Sequence, residues 1–441
     1  MSRIGIIGAG IGGLTAAIKL GRAGHDVCIF ESRGEDDLSH PWMDDIRFDV
    51  FASCGIEPPP RETYFNKGKR LFISPDCKNS FHVPFSPPMV EISLERPAFA
   101  RHLVSLARQA GARLIFGCGV EGLIVENGAV CGFFAGGEEM RFDLVIDSSG
   151  LRSPFRAQVP GRFGIEAQPD DSGVMFAWRG FFRHKEGTPP PETDRNIYIR
   201  HLGSNGLSWC NLNQKDEVDV FVGRTGGLDE KEKDEAVADL FERHAFFSDE
   251  VLQEGVFAEL PLRAPLSRMA ADGYAAIGDA AYMTMPMMGS GIEASMKAAS
   301  LLCEIIEKYD LRHFTARNLW EYQTGYYKEL GAGYAFVDVV RRLLLGIDVE
   351  KLNWLFGCGA VTDEDMGMVS TESLKSFALS PLEAAGRART LFKRPDVIAE
   401  AAGWMKKAAE LKLAAKSIPE DYDEERIAAW QKKYDGMIKN L

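Results

Sequence analysis

The stretch RIGIIGAGIGGLTAAIKLGRAGHDVCIFESR, Arg3 to Arg33, decides the fold. Ile4-Gly5-Ile6-Ile7 is a short apolar run suited to a buried parallel strand. Gly8, Gly10 and Gly13 follow it as G-x-G-x-x-G at the head of an amphipathic helix pattern. In that order Gly8 permits a tight turn, Gly10 lets a pyrophosphate approach the backbone, and Gly13 lets helix and strand pack closely. The helix N-terminus then faces the phosphates. A second strand is expected over Asp26 to Phe30 after Gly24, and it delivers Glu31 eighteen residues beyond Gly13. A carboxylate there accepts ribose hydroxyls and repels a 2′-phosphate, so the opening reads as a site for the ADP-ribose half of FAD or NAD.

The same spacing recurs at Gly117-Cys118-Gly119-Val120-Glu121-Gly122, but EGLIVENGAVCGFF alternates like a hairpin around an Asn-Gly turn. Without a helix behind it, this second match is not a nucleotide loop. Composition narrows the classes further. The 441 residues suit two domains or one large elaborated one. A net charge of −13 argues against a general nucleic-acid binder, which needs a basic surface. Eight cysteines lie without a C-x-x-C or zinc-type spacing, so they read as reduced structural thiols, with Cys28 and Cys118 expected to be buried, and no metal is expected. No start resembles a secretion signal and no apolar run approaches the roughly 20 residues of a membrane span. A soluble, cytoplasmic protein is the expectation.

Two later stretches separate FAD from NAD. FDLVIDSSGLRSPFR, Phe142 to Arg156, is an apolar strand ending in a Ser/Gly turn; YAAIGDAAYMTMPMMGSGIEASMKAA, Tyr274 to Ala299, is a strand, a Gly-Asp, a proline loop and a helix. With these the chain resembles the FAD-dependent superfamily of para-hydroxybenzoate-hydroxylase-type monooxygenases and geranylgeranyl reductases. The resemblance implies that Gly278-Asp279 binds the ribityl chain of the flavin. It also implies that the turn Gly289-Ser290-Gly291-Ile292 aims a helix N-terminus at N1 and O2 of the ring, where free N–H groups stabilise negative charge. Arg96, in EISLERPAFARHL, matches an arginine that faces the cofactor phosphates from a helix start; Arg47, on a stretch read as helical, is a weaker counterpart. Val120 would meet adenine through its backbone, and Gly150 matches the glycine of the family's Ala-Asp-Gly, whose acid stands here two places early at Asp147.

The implied fold class is α/β: a three-layer Rossmann-type FAD-binding domain, an inserted antiparallel-sheet substrate domain and a helical C-terminal region. The expected boundaries are 1–78, 95–160 and 260–310 for the discontinuous FAD domain, 79–94 and 161–259 for the substrate domain, and 311–441 for the helical region. GVMFAWRGFF, RNIYIRHL, GLSWCNL and VDVFVGR supply the inserted strands, one face of which would roof the flavin. Pocket candidates are Trp209, Tyr282, Met285 and Met287, with Tyr198 and His201 on inserted strands beside them. Flexible methionines in YMTMPMM suit an extended apolar substrate.

Within the superfamily the geranylgeranyl reductases are the closer likeness, through the helix after Gly291 and NLWEYQTGYYKELGAGYAFVDVVRRLLL. Where they carry Tyr-x-Trp-x-Phe-Pro, this chain reads Leu207-Ser208-Trp209-Cys210-Asn211-Leu212; where they carry a cysteine motif soon after the first acid, it reads GEDDLSHPWMDDIRF. The leading expectation is an FAD-dependent reductase that saturates a carbon–carbon double bond of an apolar, isoprenoid-like substrate, with NAD(P)H or another donor as reductant. The alternatives are a monooxygenase hydroxylating a small aromatic and a flavin-fold binding or escort protein. Gly386 to Ser417, basic with Leu391, Phe392, Trp404 and Met405, reads either as a peripheral contact to an anionic membrane or as a helix covering the FAD domain.

Overall fold

The computed structural model describes residues 1–83, 90–191, 195–309, 313–370, 387, 389–390 and 392–441. Strand β1 (Arg3–Ile7) runs through Gly8 into helix α1 (Ile11–Arg22) and returns as β2 (Asp26–Phe30). There follow β3 (Met43–Arg47), α2 (Asp49–Cys54), β4 (Tyr64–Asn66), β5 (Arg70–Ile73), β6 (Ser80–Val83), β7 (Glu91–Glu95) and α3 (Arg96–Gln109). Then come β8 (Arg113–Ile115), β9 (Val120–Glu126), β10 (Ala129–Ala135), β11 (Glu138–Arg141) and β12 (Leu144–Asp147). The middle of the chain gives β13 (Val174–His184), β14 (Arg195–Ile199), β15 (Gly206–Leu212), β16 (Glu217–Thr225), α4 (Glu230–Arg243) and β17 (Phe247–Pro261). The short strands β18 (Ala270–Ala271) and β19 (Tyr274–Ala276) lead to α5 (Ile292–Lys308).

The first sheet runs β18-β19-β12-β1-β2-β8, with every pair parallel except β18–β19. Ile4, Ile6, Val27, Ile29, Val145 and Ile146 are all almost fully buried, because both faces of this sheet are covered. Helices α1, α3 and α5 pack on one side, and the small antiparallel sheet β11-β10-β9 closes the other through Phe133, which lies edge-on to Phe30. This is the three-layer arrangement expected. The hairpin β9–β10 turns at Asn127 and Gly128, both at positive φ, so the second glycine match is indeed sheet. Cys28 is buried, whereas Cys118 is only half-buried.

The second large sheet runs β17-β13-β16-β15-β14-β5-β6. It is antiparallel except at β14–β5, whose parallel pairing departs from the wholly antiparallel expectation. It also begins at Arg70, upstream of the expected start at 79, because β5 and β6 form a hairpin that adds to its edge. Its outer face, with Trp178, Tyr198, Val220 and Val222, packs against Ala236 and Leu240 of α4. Beyond α5 the chain is helical, over Trp320–Tyr326, Ala332–Gly346, Val349–Gly357, Asp363–Ser370, Pro395–Lys416 and Glu424–Lys439. The indole N–H of Trp320 donates to the Pro419 carbonyl at 2.8 Å, tying the tail to the core, and that of Trp430 to Ala414 at 2.8 Å, joining the last two helices. Among the described residues no helix is long and apolar enough to cross a membrane.

Candidate functional site

A cavity of about 460 Å³ runs from the glycine turn, past α3 and α5, to the inner face of the second sheet. At its first end the loop after β1 is held by close backbone contacts at Gly8 and Gly13. Gly8 sits at φ +93°, and its N–H donates to the Phe30 carbonyl at 2.8 Å. A Cβ on Gly13 would lie 2.3 Å from the Gly8 carbonyl oxygen, so this glycine does not reach the cavity but sets how closely α1 meets β1. A Cβ on Gly10 would meet nothing closer than 3.6 Å and would project into the cavity instead, a cradle that glycine leaves open. Glu31 lies 7 % exposed at the cavity wall. Its Oε2 accepts the Ala9 N–H at 2.8 Å, and its Oε1 accepts the Arg33 N–H at 2.9 Å and the Ser32 hydroxyl at 3.2 Å.

Along the middle, Val120, Gly150, Gly278 and Asp279 line the cavity. Arg96 opens α3 and points its guanidinium toward Asp44 at 3.4 Å, while its buried Nε has no partner among the described residues. Asp279 accepts the Thr284 hydroxyl at 2.7 Å. Burial pushes its carboxyl above the ordinary value, against the opposing pull of Thr284 and Arg96. The loop from Gly289 closes on this pair. A Cβ on Gly291 would lie 2.8 Å from the Thr284 hydroxyl, so only glycine starts α5 here. Gly291 and Ile292 line the cavity, and the N-cap has no side-chain partner, which leaves the first N–H groups of α5 aimed into it. Glu293 is buried beside them. Its Oε1 accepts the Arg47 N–H, its Oε2 has no hydrogen-bond partner among the described residues, and burial pushes its carboxyl up.

The last end is roofed by the second sheet, whose register places side chains in rows. One row is Phe72, Ile197, Trp209, Phe221 and Arg179; Trp209 and Phe221 stack at 3.9 Å. Met285, Met287 and Met288 face it from the loop before α5. The neighbouring row, two residues along each strand, is Arg70, Arg195, Asn211 and Asp219. Arg179 forms two hydrogen bonds to Asp219, at 2.8 and 2.6 Å, and reaches Asp44 and the Met43 carbonyl.

Several expected residues lie elsewhere. Tyr282 is fully buried behind the loop, its hydroxyl accepting from Arg156 at 3.2 Å, because Tyr282 adopts φ +56° and turns its ring away from the cavity. Tyr198 and His201 belong to the outer side of the sheet, bonded to His244 and Asp239. Strand alternation explains Tyr198: its neighbour Ile197 shares the inner face with Trp209, so Tyr198 faces out. His201 sits in a short turn rather than a strand. Arg47 ends strand β3 and is not helical, since β3 pairs with β7 along its whole length. It does line the cavity. The sequence reading missed Trp42, Asp44, Asp45, Lys67, Arg70, Arg179 and Arg195, all of which line the cavity. The available signal was a charge at an inward-alternating position of an otherwise apolar strand, such as Arg179 in VMFAWRGFF.

These residues suit a dinucleotide with a ribityl linker: an acid for the ribose, an open cradle and an arginine with a spare Nε for phosphates, a carboxyl at mid-length, and an uncapped helix for the ring. Residues 1–309 match the model of the FAD binding domain family. The digeranylgeranylglycerophospholipid reductase of Sulfolobus acidocaldarius is 25 % identical over 450 residues, covering 98 % of this chain and 96 % of that protein. In fold, the chain matches a geranylgeranyl bacteriochlorophyll reductase-like protein of Thermoplasma acidophilum with a TM-score of 0.72 at 18 % identity, over 90 % of this chain and 99 % of that one. A flavin-dependent brominase matches with a TM-score of 0.63 at 16 % identity over 90 % and 99 %.

Proposed function

We propose, from the premise that the chain belongs to the FAD binding domain family, that it is an FAD-dependent reductase saturating a carbon–carbon double bond in an apolar, isoprenoid-like substrate. The observation that supports this reading most is the meeting of an apolar row, Ile197, Trp209 and Phe221, with Met285, Met287 and Met288 at the end of the cavity toward which α5 points. Bound and reduced, FAD supplies hydride. In this assignment Glu31, Gly10 and Arg96 hold the adenosine and phosphate portion, Val120 and Gly150 border it, and Asp279 accepts from the ribityl hydroxyls. Gly278, Gly289, Gly291 and Ile292 shape the turn that brings the N-terminus of α5 to the ring. The methionines adapt to a chain-like substrate and exclude water from the reacting bond. The full-length similarity to the Sulfolobus reductase, covering 98 % of this chain, favours reduction over hydroxylation.

Anaerobic photoreduction of the FAD-loaded protein, followed by rapid mixing with air-saturated buffer or with prenyl alkenes, tests the reading. Reoxidation that depends on the alkene and yields a product two hydrogens heavier is expected. Fast reaction with oxygen, coupled to hydroxylation of a small aromatic and indifferent to alkenes, would overturn it. A protein that fails to bind FAD would overturn it as well.

A further inference from the structure

Arg70 is 2 % exposed, lines the cavity, and has Nε and Nη1 both buried with no hydrogen-bond partner among the described residues. Two of its three nitrogens are therefore buried and unused, an arrangement that costs stability unless something accepts. Its cross-strand partner on β14 is Arg195, so two guanidiniums stand directly opposite one another. Like charges so placed repel. Next in the same row, Asn211 is 3 % exposed and its Nδ2 is likewise buried and unpartnered, although its Oδ1 accepts from the Asn196 N–H. Lys67 completes the cluster, 3.1 Å from Glu91 and 3.6 Å from Asp45.

The carboxylates nearby are already engaged. Asp45 is 2.8 Å from Arg195, and Arg195, Lys67 and Arg70 together hold it well below the usual carboxylate range despite its burial. Glu91 meets Lys67 and, at 3.5 Å, only Nη2 of Arg70. Arg70, Arg195, Lys67 and Asp45 line both the main cavity and an adjoining recess of about 30 Å³, into which Asn211 also faces. Unpartnered donors with no unpartnered acceptor beside them among the described residues suit an acceptor-only ligand, and their surplus positive charge suits an anion.

We infer that Arg70, with Asn211, Lys67 and Arg195, forms an oxyanion subsite, so that the substrate is an amphiphile whose carboxylate or phosphate group is held there while its apolar part lies on Trp209 and the methionines. The charged row is displaced from the apolar row by two residues of strand, roughly 7 Å. The acid group and the reacting segment are thus close along the substrate. The inference rests on the reading of this end of the cavity as the substrate site and adds the chemistry of the head group.

Calorimetric titration of the FAD-loaded protein with octanoate, octyl phosphate and octanol tests it without requiring an alkene. Either acid should bind about 10-fold or more tightly than the alcohol, the size of one charge-assisted hydrogen-bonded contact. Whichever acid binds better identifies the head group. Arg70→Met should abolish that preference, and Asn211→Leu, which alters no charge, should reduce it. Lys231→Met, at a side chain 83 % exposed on α4, should leave the preference intact. Equal binding of acid and alcohol, absence of acid binding, or a preference that survives both Arg70→Met and Asn211→Leu overturns the subsite. Alkene-dependent reoxidation is read separately with farnesol. If it occurs without acid preference, only the subsite falls; if acid preference holds without it, the reductase reading falls.

Discussion

Replacing Glu31 with glutamine tests the adenosine end at the level of single lone pairs. A carboxylate offers about four acceptor sites. Three are used within the protein: Ala9 N–H on Oε2, and Arg33 N–H and the Ser32 hydroxyl on Oε1. One site on Oε2 therefore remains for a ribose hydroxyl, fewer than the pair suggested by the sequence. Glutamine keeps one acceptor oxygen and turns the other position into a donor. It must then face an NH₂ group either to Ala9 N–H, distorting the glycine loop and losing the ribose contact, or to Arg33 N–H.

Hydrogen bonds to a charged group are worth about 1.5–3 kcal/mol each. Loss of the ribose bond in the first case should lower FAD affinity by roughly 10- to 100-fold, and its weakening from a charged to a neutral acceptor in the second by about 5-fold. Loss of one internal bond should lower the stability of the FAD-free protein by about 1–3 kcal/mol. Fluorescence-quenching titration of the FAD-free protein measures the first, and urea denaturation the second. Riboflavin, which lacks the adenosine, provides the control, and its affinity should hardly change. FAD affinity within twofold of wild type in a folded Glu31→Gln protein would refute the placement of adenosine against Glu31.

Gly13→Ala should destabilise the protein by about 2 kcal/mol or more, since its Cβ would meet the Gly8 carbonyl oxygen at 2.3 Å and neither backbone can yield; thermal unfolding measures it. For Asp279, burial raises the carboxyl in the FAD-free protein, while hydroxyl donors from a ribityl chain favour its charged form, so binding should release a proton. FAD affinity should therefore rise with pH through the raised carboxyl value of the FAD-free protein, and Asp279→Asn should flatten that dependence in a titration series. At the C-terminal stretch, Trp404 packs on the core near Leu343 and Leu352, whereas Phe392, Met405 and Leu413 are exposed, and Leu391 lies outside the described residues. Trp404→Ala should lower thermal stability by about 2 kcal/mol and leave vesicle binding alone. Attachment to anionic vesicles, if sedimentation detects it, should be lost in Phe392→Ser/Leu413→Ser.

What could be read in the sequence followed from local causes. Glycines at 8, 10 and 13 act within one turn of chain, and the strand–turn–helix around them leaves a pattern any window captures. Asp279 and Gly291 are likewise placed by their own loop. The residues that escaped are placed by pairing between distant segments. Arg70 and Arg195 are 125 residues apart in sequence and become neighbours only because β5 joins β14 in parallel at the edge of the sheet. Tyr282 failed for a different reason: its left-handed backbone reverses the direction that a regular loop would give the side chain. Arg47 looked helical because α2 begins two residues later, but it stands opposite Glu91 of β7 in the sheet and its N–H donates to Glu293.

The departure from the reductase motif and the charged row turn out to be the same feature. Set against Tyr-x-Trp-x-Phe-Pro, the stretch Leu207 to Leu212 retains Trp209 and places Asn211 where the motif has phenylalanine. Trp209 lies in the apolar row, stacked on Phe221, while Asn211 lies in the row of Arg70, Arg195 and Asp219. A phenylalanine at 211 would set an aromatic ring among two guanidiniums and a carboxylate and remove the amide that faces the recess. The substitution therefore fits the polarity of its neighbours on adjacent strands, as a sheet requires when one row is charged. Under the proposed function the apolar row is what a chain-like substrate would lie on, and the altered row is where the proposed acid group would sit. On this argument Asn211→Phe should do more than weaken acid binding. It should shift preference toward wholly apolar ligands, with the affinity for octanol equal to or above that for octanoate in the same titration, and an undiminished preference for octanoate would separate the motif change from substrate choice.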